Sequence, residues 1–285
     1  MSRRSRQSNA IRGIGIALRL VAIVTGLISI LSGCLGASAK RPECRQGEGL
    51  STFGLNGTSL QTNQLAFAFY GSANSISSEI GSYLQSRGIR AVFFVYGESV
   101  RENQRYLSSL KNSGQIVGNG FYTDSDLTRV KKPVAAAIRT DEAISSYVFG
   151  SNFLMRFPGG HSDKSLAEAL NSEGLAKYAG PFVGDIGGSR AKNSSGFTAE
   201  NCDETNANSC VQELLAVTRR TGKGLIELPT ERPFIAQVVR EYINSIESEG
   251  FSIKNIDEIP DARLAMQKSG GTPGATKEAG SCSDY

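Results

Sequence analysis

Histidine is the scarcest chemically active residue of this 285-residue chain: it occurs once, at His161, and tryptophan does not occur at all. A single imidazole excludes mechanisms that need two, including zinc sites built on a histidine pair with a separate catalytic histidine. An excess of one charge is also lacking, since 31 Lys and Arg oppose 27 Asp and Glu, and five of the Arg lie within residues 1–19. The remainder is nearly neutral, which argues against a nucleic-acid partner.

The amino terminus has the features of an export signal, because a basic region precedes the apolar run Leu20 to Leu31. That run is short for a membrane span. Residues 31–34 (LSGC) resemble a bacterial lipobox, which predicts residues 1–34 as signal and Cys34 as the lipidated first residue of the mature protein. The competing interpretations are cleavage after Ala39, which would release a soluble exported protein, and an uncleaved anchor.

These features predict where the protein works. We expect an exported lipoprotein that faces the periplasm or the cell exterior. Its contact with the membrane is then limited to the lipid anchor, whereas cleavage after Ala39 would leave no such contact.

Cysteine usage fits export into an oxidising compartment. Without Cys34, an even number remains: Cys44, Cys202, Cys210 and Cys282. A disulfide between Cys202 and Cys210 would close a short polar loop, and one between Cys44 and Cys282 would join the chain ends. Four cysteines allow three pairings, so this pairing is a hypothesis. No C-x-x-C pair exists, which argues against a cysteine metal site.

Strand-like and helix-like segments alternate along most of the chain. The helical spacing of Ile76, Ile80 and Leu84 separates the buried-strand patterns Leu65 to Phe69 and Ala91 to Val95. Such alternation predicts an α/β fold with right-handed crossovers and a mostly parallel sheet, closed into a barrel or left open.

One domain without internal repeats accounts for this pattern. We place it at residues 63–262. An amino-terminal segment rich in Gly, Ser and Thr covers residues 35–62, and a mobile tail of similar composition covers residues 263–285.

Six short segments follow one another in the order of a known set of motifs. They are residues 65–71 (LAFAFYG), 88–97 (GIRAVFFVYG), 114–127 (GQIVGNGFYTDSDL), 155–160 (MRFPGG), 180–185 (GPFVGD) and 224–230 (GLIELPT). Over about residues 63–260 the chain therefore resembles a polysaccharide deacetylase of carbohydrate esterase family four, the NodB-homology domain. Residues 88–97 are the most specific match, to G-x-x-A-T-F-F-V-x-G. The resemblance implies a distorted (β/α) barrel.

The resemblance also implies that the catalytic groups are lost. In the family, the Asp pair of T-F-D-D-G supplies the base and a metal ligand, two His complete the metal site, and a later His is the acid. Here the Asp pair falls on Phe69-Tyr70 or Tyr70-Gly71, the two metal His become Gly120 and Asp124, and the acid becomes Pro229. Deacetylation needs a metal-bound water, a base and an acid. We therefore expect a pseudoenzyme without a cofactor, the family's zinc being lost.

Two supporting residues of the family site remain, Arg156 and Asp185, and other side chains are expected near the former groove. The candidates for ligand contact are Tyr70, Asn119, Tyr122, Arg156, His161 and Asp185. Each has an ordinary alternative: an ion pair between Arg156 and Asp185, a surface position for His161, and packing for the tyrosines. Asp124 with Asp126 is a candidate for a hard cation, although such a pair is more often a solvated turn.

Three hypotheses about function follow. The leading one is an inactive deacetylase-like protein that binds envelope polysaccharide, peptidoglycan or an envelope protein in the former active-site groove. The second is an active N-acetyl-sugar deacetylase, a hydrolase of amide C–N bonds, with an atypical site that uses His161, Asp124 or Asp185. The third is a structural envelope protein whose groove is filled by its own side chains.

Overall fold

The computed structural model describes residues 48–123, 131–188 and 206–274. Strands and helices alternate in these ranges. The strands are β1 Gln64–Gly71, β2 Val92–Val95, β3 Ile116–Asn119, β4 Ile186–Gly187, β5 Gly224–Pro229 and β6 Ser252–Ile253. The helices are α1 Ser75–Ser86, α2 Gly97–Val100, α3 Gln104–Asn112, α4 Pro133–Ile144, α5 Lys164–Leu170, α6 Ala207–Thr221, α7 Ile235–Ser248 and α8 Pro260–Lys268.

Local sequence explains where these elements begin and end. Asn74 caps α1, since its side chain accepts a hydrogen bond from the Ser77 backbone N–H and the Ser77 hydroxyl accepts one from the Asn74 N–H. Helix α6 ends at Gly222, whose φ of 71° is the left-handed conformation that favours glycine. Helix α7 buries one apolar face, as its sequence spacing predicts.

All described strand pairs are parallel, in the order β3-β2-β1-β5-β4, with β6 beside the start of β1. The ring closes through irregular segments. Residues 154–156 bridge β3 at Asn119 and Met155, and they bridge the next segment at Leu154 and Ala179. That segment continues into β4, which pairs with β5. The fold is therefore the predicted distorted (β/α) barrel, with several of its staves reduced to single bridges.

Alternation along β1 divides the apolar residues between two layers. Phe67 and Phe69 face the helices, where Phe69 stacks on Phe93 with ring centroids 4.8 Å apart. Ala66, Ala68 and Tyr70 belong to the cluster that fills the barrel interior. The small alanines leave room inside the barrel for larger side chains from other strands.

The described parts of the two flanks of the predicted domain, residues 48–62 and 263–274, contain packed side chains. Leu50 and Leu60, within the predicted amino-terminal segment, are buried, and the backbone N–H of Leu55 donates to the Pro181 carbonyl. On the other side, residues 263–268 lie in α8, where Met266 is buried, so the predicted tail boundary falls inside a helix. Gly and Ser content alone did not distinguish a packed segment from a mobile one.

Several predictions concern residues outside the described ranges. Cys34, Cys44, Cys202 and Cys282 are among them, and only Cys210 is described, buried near the start of α6. The disulfide pairings, the lipidation and the signal segment stay predictions. No helix within the described ranges is both long and apolar enough to cross a membrane.

Candidate functional site

The carboxyl ends of the strands bring together positions that are distant in sequence. Tyr70 at the end of β1 is the register partner of Pro229 on β5 and of Phe94 on β2. Gly120 follows β3, where its N–H donates to the Val95 carbonyl. The predicted positions of the lost base, metal ligands and acid therefore cluster at this end of the barrel, except for Asp124, which lies outside the described residues.

A buried ion pair occupies the barrel interior beneath this end. The Arg156 Nε donates to Glu227 Oε1 at 2.5 Å, and Nη2 lies 3.5 Å from Oε2. The Arg156 side chain is fully buried and that of Glu227 is 2% exposed. Burial alone would lower the pKa of Arg156, but the charge and hydrogen bond of Glu227 outweigh it, so the pKa is raised above its ordinary value. Arg156 therefore stays charged.

Tyr70 closes one face of the Arg156 guanidinium. The guanidinium carbon lies 4.1 Å from the centroid of the Tyr70 ring, a cation–π contact in a water-poor interior. Tyr70 itself is 5% exposed. Tyr70, which the resemblance assigns to one Asp of the base and metal-binding pair, is therefore an aromatic residue whose ring already contacts a cation of the protein.

Three glycines pack around the Glu227 carboxylate. A Cβ added at Gly188 would lie 2.3 Å from Glu227 Oε2, and one at Gly184 would lie 2.6 Å from the Glu227 Cβ. Gly160, in the turn Pro158–Gly160, approaches both Arg156 and Glu227, with a built Cβ 3.4 Å from an atom of each. Close backbone approach seals the carboxylate from three directions.

These groups do not fit a zinc ion. Apart from Asp124, which lies outside the described residues, the assigned positions offer rings, a glycine and a proline, which supply neither imidazole nor carboxylate, and the Arg156 charge repels a cation. Nowhere in the described part of the chain do three His, Cys, Asp or Glu side chains come together as a metal site would require.

Gly120 has no room for a side chain. A Cβ there would lie 2.9 Å from the carbonyl carbon and oxygen of Phe94 and 3.0 Å from the Val95 oxygen. These are backbone atoms of β2, which cannot rotate away. A histidine at this position would require the strand itself to move.

Asp185 does not pair with Arg156, so the predicted ion pair is corrected. Its Oδ2 accepts hydrogen bonds from the backbone N–H groups of Gly57 at 2.6 Å and Leu225 at 2.8 Å, near the amino-terminal end of β5. Burial raises the pKa of Asp185, although these hydrogen bonds and the nearby Lys223 charge lower it in part. Asp185 fastens the amino-terminal segment to the barrel.

The other predicted contact residues separate into buried and accessible ones. Asn119 is fully buried, donates to the Ala137 carbonyl at 2.9 Å and accepts from the Phe121 N–H at 2.9 Å, so it holds the turn after β3. His161 is exposed, directly after the turn that covers the ion pair. Tyr122 is half-buried and stacks on Arg139.

Sequence reasoning missed Glu227. The available signal was a single carboxylate inside the apolar strand run 225–228, since a fully buried Glu requires a partner. Nothing in the sequence identified Arg156 as that partner, because the two residues are 71 positions apart.

Comparison with known proteins gives a family-model match to part of the chain. Residues 61–178 match the family model described as polysaccharide deacetylase. No curated protein sequence matches the chain.

Solved structures with this fold include active and inactive proteins, each at an identity that supports the fold alone. A peptidoglycan N-acetylglucosamine deacetylase has 12% identity and a TM-score of 0.58 over 73% of this chain and 92% of that one. A chitin deacetylase from Colletotrichum lindemuthianum has 14% identity and a TM-score of 0.57 over 75% and 92%. A mutant, with restored enzymatic activity, of a CE4 family pseudoenzyme has 16% identity and a TM-score of 0.53 over 70% and 68%; the wild-type protein is from Bacillus anthracis.

Proposed function

We propose that this chain, in which residues 61–178 are a polysaccharide deacetylase domain, is an exported, non-catalytic protein that binds glycan of the cell envelope. The observation that carries this proposal is the closed ion pair of Arg156 and Glu227 under Tyr70. A guanidinium neither takes nor gives a proton near neutral pH, and Glu227 is already held by it. Among the residues that the structure describes, the interior therefore offers no free base for a water molecule.

Binding to glycan is supported by what lies above the ion pair. The accessible surface at the strand ends includes His161 and Tyr122, and a tyrosine ring presents an apolar face with a polar tip that suits a sugar. The solved neighbours are described as acting on peptidoglycan or chitin, and both are N-acetylated glycans. Of these, a protein exported to a bacterial envelope would meet peptidoglycan.

Attachment to the membrane through a lipid on Cys34 belongs to the same proposal. Such an anchor would hold the barrel close to the envelope glycan. Replacing Cys34 with Ser should move the protein from the membrane fraction to the soluble fraction. A mature protein that begins at Lys40 by mass spectrometry would show cleavage after Ala39 instead.

Catalysis is tested by acetate release. The purified mature protein is incubated with peptidoglycan fragments and with chitin oligosaccharides, each with added Zn²⁺, Co²⁺ or Mn²⁺, and an active deacetylase of the family serves as positive control. We expect no acetate above the blank. Release that is lost in the Glu227→Gln variant would establish an active hydrolase with an atypical site.

Binding is tested by co-sedimentation with purified peptidoglycan and with chitin. We expect the protein to sediment with peptidoglycan and the His161→Ala variant to sediment less. Phe53→Ala is the matched control, since Phe53 is 78% exposed and belongs to the amino-terminal segment. Failure of the wild-type protein to sediment with either polymer would favour the structural hypothesis.

A further inference from the structure

A pocket that shares Tyr122 with the proposed glycan-binding surface lies beside the strand ends, between the start of α2 and helix α4. Its cavity volume is about 450 Å³, and charged side chains dominate its walls: Glu98, Arg101, Glu102 and Arg139, together with the ring of Tyr122. Neither the ion pair of Arg156 nor Tyr70 contributes to it. The proposed glycan-binding surface does not account for this concentration of charge.

Arg139 is held in a fixed orientation in this pocket. Its guanidinium carbon lies 4.0 Å from the centroid of the Tyr122 ring, and Arg139 is exposed to solvent. Tyr122 is in turn packed against Gly97, where an added Cβ would lie 3.0 Å from the Tyr122 Cδ2. Stacking uses a face of the guanidinium and leaves its N–H edge available.

None of the four charged residues of the pocket takes part in an ion pair within the described ranges. Two cations and two anions therefore line the same pocket without a close ion pair among them. Such a surface is complementary to a ligand that also carries both signs, because each charge then finds a partner on binding. An uncharged N-acetyl sugar has no group for either role.

We infer that this pocket binds a peptide with a free carboxylate and a free amine. The carboxylate would pair with the N–H edge of Arg139 in the planar geometry that guanidinium and carboxylate share. The ammonium group would lie toward Glu98 and Glu102. This inference rests on the proposed envelope function and makes it more specific, because peptide-substituted glycan such as peptidoglycan carries these groups and chitin does not.

The test uses calorimetric titration of the complete mature protein with two probes. One is the free stem tripeptide of L-Ala, γ-D-Glu and L-Lys, and the other is a chitin oligosaccharide. We expect Arg139→Gln to weaken tripeptide binding by about tenfold or more, as loss of a charge-assisted hydrogen bond predicts. Arg139→Lys should recover part of it, since the charge remains and the fork is lost.

Arg87→Gln is the matched control, because Arg87 also lies over a tyrosine ring, 5.7 Å from the centroid of Tyr83, and does not line the pocket. It should leave tripeptide binding unchanged. Thermal unfolding of each variant establishes that it is folded.

The outcomes separate the two proposals. Oligosaccharide or peptidoglycan binding without tripeptide binding, or equal tripeptide affinity in Arg139→Gln, would overturn the pocket assignment and leave the glycan function standing. If Arg139→Gln weakens binding of the tripeptide and of the oligosaccharide equally, the pocket is part of a glycan groove. That result would also overturn the assignment of the pocket to a peptide. No binding of tripeptide, oligosaccharide or peptidoglycan by the wild-type protein would overturn the proposed function itself.

Discussion

The barrel buries a carboxylate at two levels and neutralises each in a different way. Toward the carboxyl ends of the strands, Glu227 is held by the guanidinium of Arg156, and both side chains are almost completely buried. Near the amino-terminal end of β5, Asp185 is held by two backbone N–H groups, one from Gly57 and one from Leu225. One carboxylate is paired directly with a cation, and the other is bonded to backbone N–H groups, with the Lys223 charge nearby but not paired with it.

The difference shows what each carboxylate does in the fold. Asp185 joins the amino-terminal segment to β5, so its role is to fasten one part of the chain to another. Glu227 on β5 pairs with Arg156 in residues 154–156, the segment that lies beside β3. This contact crosses the barrel interior at the level where the deacetylase resemblance places catalytic groups. A buried ion pair can therefore stabilise the barrel at the level where the resemblance places catalytic groups.

The largest expected effect comes from removing one partner of the ion pair. Glu227→Ala leaves the Arg156 charge buried in the barrel interior without its counterion. The free energy of unfolding should therefore fall by about 3–5 kcal/mol. Urea denaturation of the two proteins measures the difference. The matched control is the double variant Glu227→Leu with Arg156→Met, which replaces both charges by apolar groups.

The free energy of unfolding of the double variant should lie within about 2 kcal/mol of the wild-type value or exceed it. The attraction within a buried ion pair does little more than offset the cost of removing both charges from water. If Glu227→Ala proves as stable as the wild type, the pair is hydrated and open. The contrast between the two carboxylates would then disappear.

A smaller effect is expected from substitution of Gly120, which stands where the resemblance places a metal-binding histidine. The substitution tests whether that position can accept a side chain. Gly120→Ala should lower the free energy of unfolding by about 3 kcal/mol, since its Cβ meets three backbone atoms of β2. Gly120→His should be at least as unstable and should gain no zinc by elemental analysis. Gly114→Ala is the control: it has a φ of +75° and no atom within 4 Å of a built Cβ, so it reports backbone strain alone, about 1 kcal/mol.

The order of strands and helices in this barrel could be predicted from the sequence. The pairing of irregular segments that closes the ring could not. Continuous apolar runs predicted β1 and β2, which are buried on both faces, and helical spacing predicted α1, which buries one face. The staves at residues 154–156 and 179–182 pair through single bridges, which leave no periodic pattern. Packing of residues 50–60 and 263–268 depends on surfaces contributed by distant elements, so composition assigned them to a linker and a tail.

The same limit applies to the site. Motif order located Tyr70, Gly120, Arg156 and Pro229 at the strand ends, because residues that follow parallel strands meet at one edge. The partners of Arg156 are set by the three-dimensional fold. Arg156 is 71 residues from Glu227 in the chain, and its contact with Tyr70 requires that Tyr70 lie on the inward face of β1. Spacing along the chain carries no information of that kind.

Because Asp185 has no directly paired cation, its ionisation should make the free energy of unfolding depend on pH. Because burial raises its pKa above the usual 3.8, the folded protein binds more protons than the unfolded chain between those two values, and stability falls as pH rises through that interval. Asp185→Asn keeps an oxygen that can accept both N–H groups and removes the charge. We therefore expect the wild type to lose stability relative to Asp185→Asn as the pH rises from below 4.

Asp185→Ala isolates the hydrogen bonds, because it leaves two N–H groups without their acceptor and should lower the free energy of unfolding by about 1–2 kcal/mol at every pH. Denaturation curves from pH 3 to pH 8 compare the three proteins. A wild type that instead gains stability over Asp185→Asn with rising pH would mean that Asp185 has a countercharge like that of Glu227.

The smallest expected effect concerns the ring above the ion pair. Tyr70→Leu removes the aromatic face 4.1 Å from the Arg156 guanidinium, and a water-poor cation–π contact contributes about 1–2 kcal/mol beyond the volume that is lost. Phe94→Leu is the control for volume, since Phe94 lies in the same interior cluster and packs on Phe182, a neutral ring. Tyr70→Phe keeps the face and should cost less than Tyr70→Leu. If Tyr70→Leu costs no more than Phe94→Leu, the ring only fills space. Arg156 would then be stabilised by its ion pair with Glu227 and not by the aromatic face.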